Sequence, residues 1–132
     1  MTSTQCHKPA GLKDKNRGGI GSTNRTRRAW GFLIMFEFQV REGMEKRFKK
    51  VYGAKGDWAR LFMQDESYIA TELVHALKAK RTYLTLDFWT SQKAYDAFRK
   101  RHLDEYSALD QKCEEMTENE REIGRFVRIA IK

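Results

Sequence analysis

The sequence predicts one α+β domain: a four-stranded antiparallel sheet with helices on one face, in the ferredoxin-like split βαβ order. Three observations carry that expectation. The stretch Arg81–Phe98 starts as an alternating strand, breaks at Thr90-Ser91, and restarts at once with helical spacing. An earlier strand-then-helix pattern runs from Gly31 to Tyr52, and the chain closes on another alternating run, Arg125–Ile131. At 132 residues the chain is one domain in size and can bury a core.

Each element has its own signature. Gly31–Val40 is a strand with Phe32, Ile34, Phe36 and Phe38 on one side and Leu33, Met35, Glu37 and Gln39 on the other. A strand wet on one face would alternate more cleanly, so something should cover its second side. Met44, Phe48, Val51 and Tyr52 form the apolar side of the following helix, which Gly53 ends. Asp57–Met63 reads as one or two helical turns with Asp57 as the cap. Tyr68–Ala76 is the second strand, joined by a short connection to its antiparallel neighbour at Arg81.

In that third strand Leu84, Leu86 and Phe88 face one way, and Tyr83, Thr85, Asp87 and Trp89 the other. Thr90 or Ser91 then caps a helix whose stripe, Tyr95, Phe98, His102, Tyr106, Leu109, Cys113 and Met116, steps by three and four. Thr117-Glu-Asn-Glu120 has the form of a capping box, which predicts that a short new helix starts there and ends at Gly124. Nothing in the chain covers the second sheet face. The expectation is therefore a homodimer packed through that open face.

Residues 1–28 stand apart as a basic arm, and residues 29–132 hold the domain. The arm has seven Lys or Arg against Asp14 and almost no large apolar residue, with Ile20 isolated; ordering it would cost more entropy than burial returns. It is predicted to be disordered: a native basic tail, an upstream start, or a targeting peptide, the last disfavoured by its glycines. The net charge of +8 sits mostly there, since the other 104 residues balance nineteen basic groups against seventeen acidic ones. Nucleic acid is thus expected as a partner only weakly, through the arm.

No apolar run reaches membrane-spanning length, and no secretion signal opens the chain. Cys6 and Cys113 lie in unlike contexts; Cys113 falls on the helical stripe and reads as a buried free thiol, which points to a cytoplasmic protein. His7, His75 and His102 sit in separate segments without ligand spacing, so no metal site is expected. No nucleophile elbow, phosphate-cradling loop or dinucleotide fingerprint occurs.

The segment Tyr83-Leu-Thr-Leu-Asp-Phe-Trp-Thr-Ser-Gln-Lys-Ala-Tyr-Asp-Ala-Phe98 resembles the antibiotic-biosynthesis-monooxygenase family of dimeric α+β-barrel proteins. That family carries a strand ending in Trp-x-Ser before a helix opening with Ala-Tyr or Ala-Phe. The Trp58 segment and Glu122–Phe126 are similar too, so the resemblance covers roughly residues 31–131. It implies a pocket between sheet and helices in each subunit. Some members oxygenate quinol-like aromatics with molecular oxygen and neither metal nor flavin. Others degrade haem with an Asn on the first strand and a Trp and a His on the long helix. Here residues 31–40 contain no Asn and the long helix no Trp, which argues against haem.

The resemblance implies a cofactor-independent monooxygenase acting on a small aromatic or quinol-type compound. Trp58, Trp89, Tyr95 and Phe98 would shape the pocket, and His102, Asp87 or Tyr83 would handle a proton. The same residues also read as plain structure: aromatic core, a carboxylate paired with Arg81 or Arg128, a core histidine. A non-catalytic dimer binding a small ligand or a partner is the alternative.

Overall fold

A computed structural model describes residues 29–129. The basic arm and the end of the expected last strand lie outside them. The described elements are β1 (Phe32–Val40), α1 (Glu45–Tyr52), α2 (Asp57–Phe62), β2 (Tyr68–His75), β3 (Thr82–Trp89), α3 (Gln92–Arg101), α4 (Leu103–Cys113) and β4 (Thr117–Val127). A 3-10 turn, Glu114–Met116, precedes β4. The sheet is antiparallel throughout, in the order β2-β3-β1-β4.

Strand β1 is central because its alternate residues Phe32, Ile34, Phe36, Phe38 and Val40 are all buried against the helices. The register places Trp89, Asp87, Thr85 and Tyr83 of β3 beside Phe32, Ile34, Phe36 and Phe38. The face of β3 that looks polar in sequence is therefore the core face. Helix α1 adds Phe48 and Tyr52, stacked 4.3 Å apart, over Phe38. Before it, Gly43 turns the chain at φ +89, a conformation that favours glycine, and its N–H donates to Glu45 Oε1.

Asp57 does not cap α2. Gly56 holds that position, and Asp57 lies in the first turn, paired with Arg60. Ser91 does cap α3, accepting the Ala94 N–H at 3.1 Å. The expected single long helix divides at His102 (φ −114, ψ 30), although backbone bonds to Phe98 and from Tyr106 carry on across the break.

The C-terminal reading needs correction. No helix begins at Thr117: residues 117–127 form one long strand along β1. A capping box is a local signal, whereas β1 has backbone groups that need a partner along its whole free edge. That demand outweighs the local one. The strand is an edge, which explains its polar, charged composition, and two register irregularities fit its pairing to β1.

The second sheet face carries Leu33, Met35, Leu84 and Leu86, all half-buried, with Val74 and Phe126 more exposed. Trp30 meets Phe88 edge-on at 5.1 Å, and Arg121 pairs with Glu37. No described helix lies on this face, as the open-face expectation requires.

Candidate functional site: a polar chain in an aromatic interior

The site is built on the middle of the core face. Thr71 and Asp87 are register partners on β2 and β3, 3% and 0% exposed. Thr71 Oγ1 donates to Asp87 Oδ1 at 2.6 Å. That spends the threonine's one proton, so Tyr68 Oη, 2.7 Å from Thr71 Oγ1, must be the donor of the next bond. A phenol, an alcohol and a carboxylate thus form a directed chain with no bulk water around it. Arg81 and Arg128, the expected partners of Asp87, reach instead the Val40 carbonyl and Glu118, and the Trp30 carbonyl.

Aromatic rings enclose this chain. Trp89 contacts Phe62, Tyr68, Tyr95 and Phe98 with centroids 5.0 to 5.3 Å apart. Trp58 joins the same group through Phe62 and through Tyr106, 5.4 Å away. Among the sequence candidates, Asp87, Trp89, Tyr95 and Phe98 come together, with Trp58 at one remove.

The other two do not join them. Tyr83 lies two register steps from Asp87, stacked on His75 at 4.3 Å. His102 sits at the helix break on the outer side of Phe98, its Nδ1 2.5 Å from Glu105 Oε1. Phe98 stands between His102 and Trp89.

Several interior polar atoms have no hydrogen-bond partner of normal geometry: Thr85 Oγ1, Trp89 Nε1, Tyr95 Oη, Arg99 Nε and Glu120 Oε2. Such atoms cost free energy unless an ordered water, an ion or a ligand answers them. Burial pushes the Tyr95 hydroxyl up to about 12, with Asp87 adding to the effect and Arg99 opposing it. Tyr95 is therefore a neutral donor across the physiological range. Burial also pushes the Cys113 thiol up to about 11, while Tyr52 and Trp58 pull it back. As expected it is a buried free thiol, and it is not a thiolate nucleophile.

Sequence reasoning missed Tyr68, Thr71 and Arg99. Arg99 follows Tyr95 by four, so it shares its helix face, and that spacing was readable. The Thr71–Asp87 pairing was not: it depends on a register irregularity between Tyr68 and Ala70. Glu105 also went unread as the partner of His102, though it follows by three, a spacing at which helix side chains meet.

Residues 31–109 match the family model described as antibiotic biosynthesis monooxygenase. The chain belongs to that family. The match ends inside α4, short of the 3-10 turn and β4, and so covers less than the expected 31–131. No curated protein matches this family member. Among solved structures, PA3566 from Pseudomonas aeruginosa is similar with a TM-score of 0.53 at 8% identity, over 77% of this chain and 97% of that one. At that identity the likeness concerns the fold, and it agrees with the split βαβ arrangement.

The described residues include no group of three or more potential metal ligands, and no described helix is long and apolar enough to cross a membrane.

Proposed function

We propose that this protein is a cofactor-independent monooxygenase acting on a small aromatic or quinol-type compound, with Asp87 as the proton acceptor. The observation that supports this most is the Tyr68–Thr71–Asp87 chain set among Trp89, Tyr95 and Phe98. An enolisable anthrone-type carbon becomes reactive towards oxygen once it loses a proton. A buried carboxylate can take that proton, and the Thr71 hydroxyl, itself bonded by Tyr68, holds the carboxylate in place. Aromatic walls hold a flat ring by its faces and exclude water from the carbanion. In the overall reaction a CH2 group becomes a carbonyl. One oxygen atom ends on that carbon and the other leaves as water, all four electrons coming from the substrate.

A second reading has an observation of its own. The rings of Trp58, Phe62, Trp89 and Phe98 already touch one another across the helix–sheet space. That close packing favours a non-catalytic dimer binding a small ligand or a partner. Oxygen uptake with a panel of anthrones and quinols, for the intact protein and Asp87→Asn, separates the two. Uptake that the substitution abolishes supports the oxygenase. Uptake equal to the uncatalysed background, in both proteins, removes it.

The family membership and the apolar open sheet face support a homodimer in either case. A cytoplasmic location is consistent with the free Cys113 thiol.

A further inference from the structure

Arg99 differs from its neighbours. Arg47, Arg60, Arg81, Arg101, Arg121 and Arg125 each pair with a carboxylate. Arg41 and Arg128 reach backbone carbonyls. Arg99 is half-buried, yet no described ion pair includes it. Its guanidinium lies 4.2 Å from the Tyr106 ring centroid and 5.9 Å from that of Tyr95. Its Nε and the neighbouring Tyr95 Oη are both without a hydrogen-bond partner of normal geometry.

A cation taken partly out of water is costly unless a counter-charge meets it. Two phenol faces and the nearby Tyr95 hydroxyl offset part of that cost, but neither phenol is a counter-charge. Arg125 lies 6.0 Å from the centroid of the same Tyr95 ring and is already held in a two-point pair by Glu122 at 2.9 and 3.2 Å. Helix α3 and edge strand β4 thus each bring a guanidinium to the Tyr95 ring, and of the two only Arg125 has a carboxylate partner among the described residues.

We propose that Arg99, with the Tyr95 hydroxyl beside it, is an anion-binding subsite for the ionised oxygen of a small aromatic ligand. The inference takes the ligand class from the function proposed above and narrows it to compounds carrying a carboxylate or a phenolate. Arg99 positions such a ligand by its charged oxygen, with the ligand's ring held beside Tyr95. It does not itself take up a proton.

The test compares 2-naphthoate with the neutral 2-naphthalenemethanol on the full chain, by calorimetry and by the arginine Nε–H signals in NMR. The intact protein should bind the naphthoate more tightly and shift the Arg99 Nε–H resonance with it. Arg99→Met should weaken naphthoate binding by about ten- to a hundredfold and leave the alcohol unchanged, as expected for one charge-assisted bond. Arg99→Lys should recover part of the loss. Equal weakening of both compounds, no weakening of either, or no binding of naphthoate to the intact protein overturns the subsite. If Arg99→Met fails to fold, the resonance in the intact protein decides: a shift supports the subsite, and no shift overturns it. Anthrone oxidation is measured alongside. Oxygen uptake without any preference for naphthoate removes the subsite and keeps the oxygenase, whereas the preference without uptake keeps the subsite and removes the oxygenase.

Discussion

Thr71 and Asp87 meet across two strands, hydroxyl to carboxylate at 2.6 Å, with Tyr68 2.7 Å behind the hydroxyl. Removing the middle member leaves a buried phenol and a buried carboxylate each short of a partner. Thr71→Val keeps the shape and should lower stability by about 2 to 3 kcal/mol in urea unfolding. A loss under about 0.5 kcal/mol would show that the chain contributes little.

Tyr95 should behave in the opposite way. Its hydroxyl is buried without a normal hydrogen bond, so Tyr95→Phe removes a desolvation cost and little else. Stability should stay level or rise by up to about 1 kcal/mol, while ligand affinity or oxygen uptake falls. Lower stability with unchanged function would mark the hydroxyl as purely structural.

Glu120 gives a pH dependence of definite sign. It shares the core face with Phe38, and burial, helped by Asp110 and Glu114, pushes its carboxyl up from 4.5 to about 7. The folded state therefore holds this proton more tightly than the unfolded chain does. Its contribution is most favourable below about pH 4.5 and is lost as pH rises through about 7. Glu120→Gln should gain about 1 to 2 kcal/mol at pH 8 and almost nothing at pH 4. Equal effects at both values would mean that the group is not displaced.

The open sheet face can be tested by charge. Leu86→Lys sets a cation among Met35, Leu84 and Phe88 without touching the helix side. Sedimentation should show a dimer for the parent and a monomer for the variant, each with native far-UV dichroism. A monomeric parent at assay concentration would end the dimer proposal.

How much of this was readable varied with the range of the interaction. Ser91 capped α3 as its position foretold, because a cap needs only residues within one turn. The alternation of β3 was also plain, but its polar-looking side proved to be the core side. Trp89, Asp87, Thr85 and Tyr83 face the helices because Phe32, Ile34, Phe36 and Phe38 beside them do. Thr117–Glu120 failed for the same reason: a local helix signal lost to the pairing demand of a strand some eighty residues earlier in the chain.

Periodicity and turn signals along the chain were enough for the element types of β1 to β3 and the helices between them, because those signals are local physics, while the family was legible through the Tyr83–Phe98 motif. Packing in three dimensions set the span of β4 from Thr117 to Val127, the bond from Thr71 to Asp87, and the place of Arg99 against phenol rings with no carboxylate partner among the described residues. Each of those depends on register or helix placement, set by the packing of a shared aromatic core rather than by any residue's neighbours along the chain.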